Sequence, residues 1–183
     1  MDSFFNTVGE NQKKTGLDPV LDIAMTNTAI VCIDRDNDSG NTGTRRVASM
    51  VHDYFSRKFM RHTIAAMLEK PLLGQHDGNC HNIALAFMTD LIKAGHAQDW
   101  YWVQGANPKR ELSPGMVWEH SWLEYNGIAV DATMNQRLKR QLPTIVVDRV
   151  GPYYKRQDIT TILGRRNARQ TRRFIFRFAK NER

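Results

Sequence analysis

Apolar residues along the 183-residue chain change from a helical to a strand spacing near its middle. Val47, Met50, Val51, Tyr54, Phe55 and Phe59 recur at i, i+3, i+4 and i+7, which predicts a helix from Val47 to about Glu69 that Pro71 helps to end. A second helix is expected to begin at Cys80, with Ile83, Ala84, Phe87, Leu91 and Ala94 on its apolar face and Gly95 as its C-terminal stop. The period then shortens. "WYWVQG", "VWEHSWLEY" and "IAVDA" read as strands, and Asn126-Gly127 between the last two is a strong hairpin signal. "TIVVDRV" (Thr144 to Val150) and the β-branched stretch "TNTAIVCI" (Thr26 to Ile33) are further strand candidates. Helices first and strands afterwards predict an α+β domain. The length fits one domain, with an N-terminal strand and polar loop over 1–46, a core over 47–133, and further strands plus a basic segment over 134–183.

The hairpin has a chemical consequence. A two-residue turn at Asn126-Gly127 sets Tyr125 opposite Ile128, Trp122 opposite Asp131 and His120 opposite Thr133. Alternation then puts Trp118, His120, Trp122 and Glu124 on one face with Ala129, Asp131 and Thr133. His120 and Asp131 become diagonal neighbours with Cα atoms about 7–8 Å apart, within reach of an imidazole–carboxylate hydrogen bond.

Cys80 stands where a Gly/Asp/Asn loop gives way to a helix, in "GQHDGNCHNIALAF". With Asn79 or Asp77 as the cap, it falls in the first turn, among N–H groups without intrahelical partners and at the positive end of the macrodipole. Such a place favours the thiolate, which is the nucleophilic form, and offers N–H donors to an oxyanion. Alone, the residue reads more readily as a small apolar side chain under the helix, which is what most free cysteines are. A strand histidine and a strand-end aspartate also have plain structural readings, and it is their common face that makes a catalytic set.

These residues resemble the transglutaminase-like branch of the papain-like cysteine enzymes. In that family a Cys opens a buried helix, a His lies in an H-x-W-x-E strand and an Asp follows in a D-x-T stretch. Here the corresponding stretches are "GNCHNIALAF", "HSWLEY" and "VDAT", over about Val47 to Thr133. Ala132 replaces a frequent proline, and the flanking domains of animal transglutaminases are missing. The resemblance implies a buried helix opening at the catalytic Cys80 and packed on an antiparallel sheet. It also implies that Cys80 attacks an amide carbonyl, that His120 moves the proton and that Asp131 holds the imidazole. Hydrolysis of the thioester would make a peptidase or amidase acting on peptide or protein, and capture by an amine would make a transglutaminase or acyltransferase. Gln75, five residues ahead of Cys80, is the candidate oxyanion-hole side chain beside the Cys80 N–H, and Trp122 is the candidate shield of the histidine–aspartate pair.

Composition narrows the classes. Two distant cysteines make a poor disulfide framework, the start "MDSFFNTVGENQKK" lacks the order of a secretory signal, and no run reaches the ~18 apolar residues of a membrane span. A cytoplasmic protein without membrane contact or cofactor is expected. No metal is expected either: His76 and His81 bracket Cys80 without a second cysteine nearby, and Asp34, Asp36 and Asp38 are followed by Ser39 and Arg45 where a calcium loop needs glycine and glutamate. Net charge is +7, yet Met1–Asp131 holds 12 Lys+Arg against 16 Asp+Glu, whereas Ala132–Arg183 holds 14 against 3. In the basic segment Phe174, Phe176 and Phe178 alternate, which predicts a terminal strand with the phenylalanines inward and Arg177 outward. That segment also keeps open a non-catalytic protein that binds nucleic acid or an acidic partner.

Overall fold

The computed structural model describes residues 19–33, 41–69, 79–111, 117–133 and 143–181. In chain order these form α1 (Pro19–Thr26), β1 (Ala29–Cys32), α2 (Asn41–Ser56), α3 (Arg61–Leu68), α4 (Asn79–Lys93) and β2 (Trp100–Glu111). There follow β3 (Val117–Tyr125), β4 (Ile128–Asp131), β5 (Thr144–Arg149), α5 (Val150–Arg156), β6 (Thr161–Asn167) and α6 (Ala168–Asn181). The class is α+β. The six strands make one sheet in the order β1-β5-β4-β3-β2-β6. It is mixed rather than wholly antiparallel as expected, because β1 runs parallel to β5 while the other neighbours are antiparallel.

The strand expectations over residues 100–149 hold, and the turn chemistry explains their register. Asn126 and Gly127 both take positive φ, 47° and 75°, as the tight primed turn requires. Tyr125 then faces Ile128 and Leu123 faces Val130. Alternation sorts the side chains onto two faces. Trp102, Leu123, Val130 and Val147 join the main core with Val51 and Phe55 of α2, Ile64 of α3 and Phe87 and Leu91 of α4. Val103, Trp122 and Ala129 point the other way and pack with Tyr153 of α5 and Ile159. Phe87 and Leu91 are fully buried, and at roughly 1.5–3 kcal/mol for each such side chain they fix α4 on the sheet.

The helix expected over 47–69 is two helices. Lys58 adopts a left-handed φ of 58° after α2, and the turn it makes carries Met60 to complete burial before α3 starts. Helix α2 also begins at Asn41, inside the expected polar loop. Helix α3 has no side-chain cap of its own at Met60. Buried Asp90 of α4 supplies one instead, accepting the Thr63 N–H at 2.9 Å, the Thr63 hydroxyl at 2.8 Å and a contact to His62 Nδ1 at 2.6 Å. The C-terminal strand expected from the alternating phenylalanines is helix α6. Asn167 and Gln170 form a reciprocal cap at its start, each side chain accepting the other's backbone N–H, and this local chemistry overrides the alternation. Phe174 packs edge-on against Trp102 with centroids 5.1 Å apart, but Phe176 is 76 % exposed instead of buried. The side chains of Arg177 and Phe178 lie outside the described residues.

One glycine is required by this packing. Gly105 pairs with His120 across the β2–β3 ladder, and a Cβ there would sit 2.6 Å from Ile159 Cγ2 and 2.9 Å from the Trp122 ring. Gly105→Ala is expected to lower unfolding free energy by about 1–3 kcal/mol, read from urea midpoints. Gly151→Ala, where no atom lies within 4 Å of the added methyl, is the comparison expected to be neutral or slightly stabilising.

Candidate functional site

The β3–β4 hairpin builds half of the site. His120 is 2 % exposed and Asp131 is fully buried, and His120 Nε2 lies 2.9 Å from Asp131 Oδ2. Asp131 is held from all sides. Its Oδ1 accepts the Thr133 N–H at 2.9 Å and the Thr133 hydroxyl at 2.6 Å, which is the physical content of the D-x-T spacing. Its Oδ2 accepts from His120 and also from the Tyr153 hydroxyl, whose oxygen lies 3.0 Å from His120 Nε2.

Helix α4 supplies the other half. Cys80 is its second residue, half-buried, in the turn whose N–H groups have no partner within the helix. Asn79 is itself helical and sends its side chain 3.4 Å to the Ala66 carbonyl rather than capping α4, and Asp77 lies outside the described residues. The β3–β4 ladder spans Leu123–Tyr125, so it has ended before the level of His120, and at this end of the sheet the start of α4 meets β3. There the Cys80 thiol lies close enough to the His120 ring to help raise its pKa.

The electrostatics follow from this arrangement. Burial pulls the His120 imidazole down, but the Asp131 charge and hydrogen bond, with the Cys80 thiol, outweigh it and raise the ring to about 9. Burial likewise pushes the Asp131 carboxyl up, but His120, Thr133 and Tyr153 together hold it well below the usual carboxylate range. His81, next to Cys80 in the chain, shifts the opposite way. Its own burial lowers it, Glu119 opposes the fall, and the neighbouring His120 charge adds to it. The two histidines near Cys80 are thus shifted in opposite directions.

Trp122 is buried, and its ring stacks on His120 with centroids 5.9 Å apart. Gln75 and His76 lie outside the described residues. His81 Nδ1 contacts the Ser121 hydroxyl and lies 3.4 Å from Gln104 Nε2, while its Nε2 lies 3.6 Å from Glu119. Among the described residues no group of three His, Cys, Asp or Glu side chains could hold a metal ion. Glu124, on the His120 face, pairs with Arg165 at 2.9 Å instead of joining the site.

The residue that sequence reasoning missed is Tyr153. Nothing in "VGPYYKR" marks either tyrosine, and Pro152, in the opening turn of α5, signals a helix start without its orientation. In comparisons with known proteins the chain matches no family model, no curated protein and no solved structure. Among the described residues no helix is long and apolar enough to cross a membrane.

Proposed function

We propose that the protein is a cysteine-dependent hydrolase that opens an amide bond, peptidase or amidase, through Cys80, His120 and Asp131. The observation that carries the reading is the buried His120–Asp131 pair, 2.9 Å apart, with the Cys80 thiol at the start of α4 near enough to help raise the ring. The resemblance of "GNCHNIALAF", "HSWLEY" and "VDAT" to the transglutaminase-like enzymes supports the same roles.

In this mechanism the Cys80 thiol gives its proton to His120, and the sulfur forms a bond to the amide carbon. The carbonyl oxygen becomes an oxyanion, and the Cys80 backbone N–H is its first donor. Collapse breaks the C–N bond, and the amine leaves with the proton that His120 returns. Water then attacks the thioester carbon and gives a proton to His120. The C–S bond breaks, a carboxylic acid departs and the thiol is restored. Asp131 stays ionised throughout and steadies the imidazolium.

Turnover in ¹⁸O-labelled water tests this directly. A peptide mixture rich in glutamine, incubated with the protein, should yield fragments or deamidated side chains carrying one ¹⁸O at the new carboxyl, and Cys80→Ala should yield none. Products that instead incorporate an added primary amine would make the enzyme an acyltransferase. If no product forms and no acyl adduct appears at Cys80, the hydrolase reading is wrong.

A further inference from the structure

Beside the candidate site lies a cleft of about 370 Å³ lined by Arg166, Gln170, Arg173 and Phe174. Its polar lining consists of hydrogen-bond donors. Gln170 Oε1 accepts the Asn167 N–H, and the side-chain N–H groups of Gln170 are donors. Arg166 is steadied by its bond to Gln104 Oε1 and by the Trp102 and Phe174 rings, whose centroids lie 5.1 and 5.2 Å from its guanidinium carbon. A guanidinium held in this way loses little freedom on binding and keeps N–H groups to spare. Arg173 is exposed, and the sequence of β6 and α6 contains no Asp or Glu to neutralise either arginine. Such a lining accepts an anion, with the Phe174 ring as an apolar wall.

The cleft is joined to the nucleophile. Arg166 bonds Gln104, Gln104 reaches His81, and His81 follows Cys80 on α4. Trp102, Gln104 and Arg166 share the sheet face on which α4 packs, since Trp102 pairs with Arg166 and Gln104 stands two residues further along the same strand. Two side-chain contacts, Arg166–Gln104 and Gln104–His81, thus link the cleft to the residue that follows Cys80.

We propose that the cleft is a substrate subsite that receives a carboxylate side chain of the peptide presented to Cys80. The inference rests on the hydrolase reading and adds to it a substrate class, acidic peptides. It also assigns a use to the basic C-terminal segment, and it gives Arg166, Gln170 and Arg173 the role of specificity residues.

The test separates the subsite from the chemistry. Two chloroacetyl tetrapeptide amides, chloroacetyl-Gly-Gly-Glu-Glu and its Gln-Gln counterpart, are compared as alkylators of Cys80 by intact mass and peptide mapping. Iodoacetamide gives the intrinsic thiol rate of each variant. The Glu probe should react about tenfold faster than the Gln probe at low salt, as one charge-assisted bidentate contact provides. The preference should fall to near one in Arg173→Gln. It should survive in Arg172→Gln, an exposed residue of α6 outside the cleft that loses the same charge. Equal losses in both variants would mean a diffuse basic surface and overturn the proposal. A ratio near one in the unaltered protein, with iodoacetamide labelling still dependent on His120, would overturn the subsite alone. Slow iodoacetamide labelling of Cys80 would overturn the hydrolase reading and the subsite with it. If Arg173→Gln instead weakens binding of a fluorescent single-stranded oligonucleotide and leaves the peptide ratio intact, the cleft belongs to nucleic acid and the proposal is wrong.

Discussion

His120→Ala is expected to slow alkylation of Cys80 by iodoacetamide at pH 6 by about two orders of magnitude, with Cys32 in the same molecule as reference. An unassisted thiol, with an ordinary value near 8.5, is less than about one per cent ionised at that pH. Under the proposed mechanism, a His120 ring that stays protonated to about pH 9 stands ready to pair with a thiolate. The unaltered protein should therefore label rapidly from mildly acidic pH upward and change rate near pH 9, where His120 loses its proton. In His120→Ala the profile should rise late, as that of a simple thiol does. Labelling of Cys80 no faster than Cys32 across this range would remove the nucleophile from the proposal.

The second large effect is on stability, and its sign reverses with pH. The raised His120 contributes stability that is complete below its unfolded value of 6.5 and is lost as pH rises through about 9. The lowered Asp131 contributes stability that is complete above its unfolded value of 3.8 and is lost as pH falls through its depressed folded value. The pair should thus support the fold fully between about pH 4 and 6.5, with losses on both sides. Asp131→Asn removes the charge but keeps the shape. Breaking a buried pair in this way costs about 3–5 kcal/mol, and urea denaturation at pH 6 should show a loss of that order. Without the carboxylate, burial is the largest influence left on His120 and lowers it, against the smaller opposing effect of Cys80. Stability of Asp131→Asn should then rise with pH between about 5 and 6.5, where the contribution of the pair in the unaltered protein is flat. A parallel pH dependence in the two proteins would show that the ion pair does not form.

What the chain discloses in its sequence is what neighbours dictate. Asn126-Gly127 fixes a tight turn, period-2 alternation fixes the register, and these two local facts bring His120 to Asp131 across 11 residues. The start of α4 was equally legible, within one residue of Cys80, because a polar loop meets an apolar helical stripe there. Tyr153 was not, since its place on Asp131 depends on how α5 returns over the sheet after β5. Nor was the break at Lys58, where burying Met60 rewards a turn that the helical pattern on either side conceals. The phenylalanines of the last segment misled for a related reason. Alternation is a signature of strands, but a reciprocal cap and helix-forming Ala, Arg and Gln residues decide α6.

The parallel pairing of β1 with β5 joins Ala29–Cys32 to Thr144–Val147, the most distant ladder in the sheet. Closing so long a loop is entropically slow, whereas the β3–β4 hairpin closes over a two-residue turn. During synthesis the histidine and aspartate can therefore meet while the first strand still waits for its partner to leave the ribosome. Nascent β1, with half-buried Ile30 and 41 % exposed Val31 even in the finished fold, is the segment for which a chaperone would compete.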